Sequence, residues 1–289
     1  MRLGFAPITW NNEDIADELG APVAFETVLD EIAAAGYSGT EVGSGFPSDP
    51  AVLRSAVRAR GLVVTSAWCG LALLEDSAAT DLAHARDMCG LLAQLGASYV
   101  NLARQGPPER RAFAGRAADA PRLSAQQWDG IADCVRGAAE IAREHGLQAT
   151  FHPHVGTFVE TRSELEALLE RVPAPLLKLC WDVGHALYAG TDPVDVVRQH
   201  PQRIAYLHVR DVNGDVLREL REHKRGFEEG IRRRVFTELG RGLLDVPALL
   251  TALREIGYDG WLMVEQDSTW LAPANSAWTS REYLRQLGL

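Results

Sequence analysis

Cysteine is scarce in this chain of 289 residues: Cys69, Cys89, Cys134 and Cys180 are its four, and no CxxC pair occurs. That excludes a disulfide scaffold and a CxxC zinc or redox motif. Each cysteine lies in or beside an apolar stretch, and all four read as reduced, buried thiols. Long hydrophobic runs are missing too. Nothing approaches the roughly 18 apolar residues that span a bilayer, and MRLGFAPITW has no long apolar segment behind Arg2. Neither export nor membrane anchoring is expected, and the expected location is cytoplasmic. Basic residues are outnumbered, 29 Lys and Arg against 39 Asp and Glu, for a formal net charge of -10. A protein that grips a nucleic-acid backbone needs a local excess of Lys and Arg. A small or weakly charged substrate fits this balance better. Finally, no Gly-rich phosphate turn follows the first apolar run, where the residues read APITWNNED, which argues against an open doubly wound dinucleotide-binding sheet.

What is present is ordinary globular material, 46% hydrophobic and 24% charged. Eight short apolar runs alternate with helical patterns: 3–8, 39–43, 62–68, 99–103, 147–152, 177–182, 204–209 and 261–265. Val246, Leu249, Leu250, Leu253 and Ile256 follow helical spacing behind a candidate N-cap at Asp245, and Thr191 or Asp192 can cap a helix with Pro193 in its first turn. AAAGYSGTEV (33–42) and REIGYDGWLMVE (254–265) form a weak repeat in which a helix-ending glycine precedes a strand. Strands apolar enough to be buried on both faces, alternating with helices, call for a parallel sheet. Eight such units in one chain match a (β/α)8 TIM barrel spanning residues 1–289. Two connections, 104–127 and 210–242, are too long to be simple turns and follow strands, so they are expected to rise over the C-terminal face as lids. Their charges also suit a plain solvated surface.

In a closed parallel barrel every strand end meets one mouth, so polar residues that close apolar runs are the ones to collect. The fifth run ends in His152, with His154 two residues on, a spacing that puts both on one face of an extended strand roughly 7 Å apart. The sixth ends in Asp182, with His185 one turn later. The seventh ends around His208, followed by Arg210 and Asp211, the eighth in Glu265, and the second carries Glu41. Taken singly, Asp182 could cap a turn, Glu265 could pair with Arg210 and His208 could be a core imidazole. Together, Asp, His, Glu and a second imidazole make a mixed oxygen and nitrogen set suited to Mn, Co, Fe or Zn rather than Ca. No cysteine is expected among them.

CWDVGHALYAGTDP, YLHVRDV and WLMVEQD resemble the Asp-x-x-His, His-x-Arg/Lys and eighth-strand Glu elements of the xylose-isomerase-like barrel superfamily, which uses a divalent metal. FAPITWNNED, GYSGTEVG, TSAWCG, FHPHVGTFVET and the segment from His208 to Gly242 are similar to the inosose dehydratase family over nearly the whole chain. The resemblance implies a cytoplasmic hydro-lyase of inositol catabolism that removes water from 2-keto-myo-inositol. It implies Asp182, His208 and Glu265 as metal ligands. In the superfamily's isomerases and epimerases the fifth strand supplies a glutamate; here His152 stands in that place and is expected to complete the shell, with Glu160 in reserve. Manganese or cobalt is the expected ion, with Zn, Fe or Mg as alternatives. His154 is expected as base and His185 as acid or substrate contact, with exchange of the two left open, and Glu41 as a hydroxyl holder or alternative base. Arg210 is expected to orient either the substrate or Glu265, unless it is a plain salt bridge at the barrel rim. Trp10, Trp68 and Trp181 are expected to offer ring faces to a cyclitol, against the commoner use of Trp in packing. A metal-dependent ketose isomerase or epimerase and a non-catalytic cyclitol-binding protein are the alternatives. The expected partner is a small polyol or cyclitol ketone, with neither nucleic acid nor membrane. Barrels of this kind often form homo-oligomers, but no interface signature stands out.

Overall fold

All eight apolar runs contribute to a closed parallel barrel. In the computed structural model, which describes residues 1–73 and 76–289, its strands are β1 (Arg2–Phe5), β2 (Gly39–Val42), β3 (Val63–Leu71), β4 (Tyr99–Arg104), β5 (Gln148–Phe151), β6 (Leu177–Asp182), β7 (Ile204–Val209) and, after a separate antiparallel pair β8 (Asp211–Val212) and β9 (Phe236–Thr237), β10 (Trp261–Val264). The barrel closes where β1 pairs with both β10 and β2. β1 is shorter than its apolar run because Pro7 opens a 3-10 turn at Pro7–Thr9. β3 runs longer, to Leu71, because its last four residues pair with Asn101 to Arg104 of β4. Gly36 and Gly257, the paired glycines of the repeat, both take positive φ, 92° and 68°. A side chain there would be strained, so glycine lets the chain turn from helix into strand within a few residues.

Alternation along each strand separates two environments. Trp181, Leu207, Val209, Leu262 and Val264 face the helical layer and belong to the main hydrophobic core. Cys180, Tyr206 and Met263 lie in a smaller interior cluster. Helix starts follow the local chemistry: Asp192 caps Val194 N ahead of Pro193, and Asp245 caps Ala248 N. Helix Ala125–Glu144 begins behind a Ser124/Gln127 capping box, so the first long connection ends at Ser124.

That connection and the second one are folded. The second contains β8, helix Gly214–Glu222, helix Phe227–Arg232 and β9. Val212, Leu217, Leu220, Phe227, Ile231, Val235 and Phe236 from it share a separate apolar cluster with Ala114 of the first connection, and with Ile15, Val155 and Tyr188. The two connections also meet through Arg111, which pairs with Glu228, and with Asp14 at 2.9 Å. The base of the second excursion is held by Asp211. Its Oδ1 accepts from Val212 N and Leu244 N, both at 2.8 Å, and its Oδ2 from Gly240 N at 3.0 Å and Gly242 N at 2.9 Å.

Replacing Asp211 by Asn keeps the shape but turns one acceptor into a donor facing backbone N–H groups. A loss of about 2 kcal/mol or more is expected, read as a lower midpoint in urea denaturation; an unchanged midpoint would show that the excursion is anchored elsewhere.

Candidate metal centre

His152 directly follows β5, Asp182 closes β6, His208 is the penultimate residue of β7 and Glu265 directly follows β10. One donor atom from each lies within 4.8 Å of the other three. Strand register produces this convergence. Asp182 pairs with His208, and His208 with Met263, across neighbouring strands. His152 N and Glu265 N then continue the ladder to Leu102 O at 2.8 Å and Val209 O at 3.1 Å. His152 Nε2 is 3.1 Å from His208 Nδ1 and 3.4 Å from Asp182 Oδ2, and Glu265 Oε2 touches His208 Nδ1. None of the four side chains is appreciably exposed.

The donor set fits a divalent cation on two counts. Asp182 Oδ2 and Glu265 Oε2 are buried without a well-formed hydrogen bond, a state that costs about 1–3 kcal/mol per group, more if charged. Arg210 Nη2 does lie 2.7 Å from Asp182 Oδ2 and 2.8 Å from Glu265 Oε2, as ion pairs that leave neither oxygen with a hydrogen bond. Negative charge is also in excess, since the buried carboxylates of Asp182, Glu265 and Asp267 surround the guanidinium of Arg210, whose Nη1 holds Asp267 at 2.5 Å, and Glu41 adds a fourth carboxylate behind His208. Two imidazole nitrogens and two carboxylate oxygens are donors that a first-row divalent ion accepts.

Glu41 lies against the back of His208. Its Oε1 accepts from Ser66 Oγ at 2.6 Å and Asn101 Nδ2 at 2.9 Å, and lies 3.0 Å from His208 Nε2. This pairing places a proton on Nε2, while Nδ1 faces the cluster against Glu265 Oε2 and would have to give up its own proton to bind an ion. The support continues sideways, because Thr150 Oγ1 donates to Asn101 Oδ1 at 2.7 Å, and Ser66 reaches Tyr206 OH at 3.2 Å.

Burial and neighbours set the protonation states. Burial opposes ionisation of Asp182, yet Arg210, His185 and His152 hold its carboxyl well below the ordinary range. Against burial, Arg210 and His208 bring Glu265 down to about 2. His208 is raised well above an ordinary imidazole despite burial, because Cys180, Glu265 and Glu41 surround it. Asp267 is pushed up to about 7 by burial, which outweighs Arg210. His154 falls to about 3 through burial and the neighbouring His152, and His185 falls well below its ordinary value through burial and His154.

His154 and His185 stand side by side, ring centroids 3.8 Å apart. The strand ends at Phe151, so His152 and His154 share a side across a loop rather than within a strand, at a centroid distance of 5.8 Å. His154 Nδ1 is 2.6 Å from Val155 O, whereas both nitrogens of His185 are buried without a partner. Phe227 lies against both rings, at 4.8 Å and 5.8 Å, and Phe236 lies 5.3 Å from His185. Trp68, 39% exposed, packs edge-on against His152 at 5.1 Å and His154 at 5.8 Å. The open side of the site is therefore beside Trp68 and the part-exposed His154.

Several expectations need correction. Trp10 and Trp181 are not ring faces for a ligand: Trp10 packs on Phe5 with Nε1 on Glu31, and Trp181 sits in the outer core with Nε1 on Pro193 O. Glu160 is outside the cluster, its two oxygens accepting from Gly115 N and Gly156 N at 2.8 Å each. Of the alternatives for Arg210, the structure favours contact with Glu265; at 1% exposure the side chain is clamped among three carboxylates. Cys180, expected apart from the donors, lies close to His152 and His208. Sequence reading missed Asn101, Thr150, Phe227, Phe236 and Asp267. Inward parity on β4 and β5 could have found the first two, since each is a polar residue in an apolar run at even spacing from a strand-end position.

Two outcomes follow. Depressed histidines bind protons less readily folded than unfolded, so their stabilising contribution is complete above the ordinary value near 6.5 and is lost as pH falls through that value toward about 3 for His154. Chelator-treated protein is expected to lose stability at up to about 1.4 kcal/mol per pH unit for each such group below pH 6.5, partly offset by Asp267, whose raised carboxyl gains stability as pH falls; urea unfolding at stepped pH is compared with His154→Gln, and an identical slope in the two would refute a neutral His154. Glu41→Gln is expected to fold normally and bind Mn2+ roughly 10–100-fold more weakly, as measured by equilibrium dialysis.

A profile of the xylose isomerase-like TIM barrel family matches residues 29–287. Inosose dehydratase from Geobacillus thermodenitrificans is 33% identical over 293 residues, covering 99% of this chain and 97% of that protein. The Geobacillus kaustophilus inosose dehydratase is 34% identical over 298 residues, covering 99% and 94%. A solved structure of the IOLI protein with a bound zinc atom superposes with a TM-score of 0.72 at 16% identity, covering 99% of this chain and 98% of that one. With the closed barrel and the strand-end cluster, these likenesses show that the chain belongs to the xylose isomerase-like TIM barrel family and, within it, groups with the inosose dehydratases.

Proposed function

We propose that this protein is an inosose dehydratase, a hydro-lyase that removes water from 2-keto-myo-inositol with the help of a divalent ion held by His152, Asp182, His208 and Glu265. The observation that carries the reading is the donor cluster with two neutral imidazoles beside it, in a chain whose relatives bear that name. A divalent ion there supplies Lewis acidity toward the ketone oxygen and makes the neighbouring C–H acidic.

The chain's own groups then divide the proton work. His154 has Nδ1–H committed to Val155 O, which leaves the Nε2 lone pair to take the proton from the carbon beside the ketone. As the ring carbons form a double bond, the β-hydroxyl leaves. His185 hydrogen-bonds that oxygen and relays to it the proton taken by His154, so water departs and both imidazoles return to neutral. Glu41 acts through His208 as a positioning residue, and Arg210 holds Asp182 and Glu265. Trp68 offers its ring to the C–H face of the cyclitol. The two excursions act as lids, with Phe227 excluding water from the imidazole pair. Manganese or cobalt is our choice of ion, the acidic balance argues against nucleic acid as a partner, and we place the enzyme in the cytoplasm.

The test is to strip the protein with chelator, restore Mn2+ or Co2+, and follow inosose by the ultraviolet absorbance of the conjugated dione. Metal-dependent turnover is expected, and its absence, or turnover of a ketose panel instead, overturns the reading. His154→Gln is expected to lower kcat by roughly 10²–10⁴-fold with Mn2+ affinity unchanged.

A further inference from the structure

Among the described residues, the barrel contains a second donor group beside the first. Cys180 is a free thiol on β6, two residues before Asp182, fully buried and facing the interior with Tyr206 and Met263. Its Sγ and one nitrogen each of His152 and His208 lie within 4.8 Å of one another. His152 Nδ1, at 1% residue exposure, has no partner. This group shares both imidazoles with the set that includes Asp182 and Glu265, but replaces two hard oxygens by one soft sulfur.

We propose that His152, Cys180 and His208 form a second, mutually exclusive cation position, deeper in the barrel, that takes thiophilic ions such as Zn2+ or Cd2+. The inference rests on reading the upper four residues as a cation site. Sulfur and imidazole ligands suit a zinc ion at about 2.3 and 2.0–2.1 Å, lengths that donors this close can reach with small movements. The upper position adds two carboxylate oxygens to the same imidazoles and so accepts harder ions such as Mn2+ more readily than the lower one does. An ion in the lower position uses both imidazoles, so it removes half of the upper shell. Binding there displaces the thiol proton to solvent and leaves a thiolate on the metal. Thiophilic ions therefore act as competitors that lock the site in an unproductive occupancy, and Cys180 sets the preference between soft and hard ions.

The experiment uses Cd2+ and Zn2+ on the full chain, with Mn2+ as the hard-ion reference. Cd2+ added to wild-type protein is expected to produce a thiolate-to-metal charge-transfer band that Cys180→Ala lacks. Zn2+ is expected to displace bound Mn2+, followed by electron paramagnetic resonance, at a concentration about tenfold or more below that required in Cys180→Ala. Cys180→Val, closer in volume, repeats both measurements, and thermal unfolding checks that each variant is folded. Cd2+ bound without the band, or Zn2+ competition unchanged in both variants, overturns the proposal. If Mn2+ still binds stoichiometrically in that case and is lost in Asp182→Ala, the upper site stands and only the lower one falls. Failure of Mn2+ to bind wild-type protein would remove the upper site itself.

Discussion

Closure of the parallel sheet is the constraint on which everything else depends. All eight barrel strands pair in parallel and β1 closes the ring with β10 and β2, so their last side chains crowd one end. Four of those positions carry His152, Asp182, His208 and Glu265, and the crowding brings buried carboxylates together at a density that one guanidinium does not neutralise. Like charges so placed repel strongly in a low-dielectric interior. The fold tolerates them because Arg210 binds three carboxylates at once and because the donor set can share a dication.

Below the cluster the barrel interior is polar, which is unusual for a packed core. Thr150, Asn101, Ser66, Tyr206 and Thr65 form a continuous hydrogen-bonded floor that ends on Glu41 and, through it, on His208. Every link is buried, so each is strong and each would be costly to break. Above the cluster the environment is the reverse. Phe227 and Phe236 bring apolar surface onto the imidazoles, and that surface holds His154 and His185 neutral. The site is thus polar beneath, apolar over the imidazole pair, and open beside Trp68.

The barrel and the four-residue cluster were legible in the sequence for a simple reason: each strand is an apolar run, and each of the four is an ionisable residue at or next to the end of one. What parity decides was less legible. Trp181 precedes Asp182 by one residue, so a strand that aims the carboxylate inward must aim the indole outward; Trp10 lies in a turn that packs under helix Phe25–Ala34, which no local pattern announces. Trp68 reaches the site because β3 continues past it, an extension fixed by pairing with β4. Phe227 and Asp267 were invisible for another reason: their roles depend on contacts with residues dozens of positions away. Glu160, the reserve candidate for the fourth donor, is taken instead by the backbone N–H groups of Gly115 and Gly156, which claim both of its oxygens.

The separation between strand-borne donors and excursion-borne walls has an evolutionary corollary. Residues 210–242 carry their own apolar cluster and are tied down at their base by Asp211, so drift in that module can reshape the chamber above the imidazoles while the strand-end cluster is inherited intact. Diversification of substrate choice in such a lineage is therefore expected to be written in the excursions, with the strand termini serving as ancestral ground.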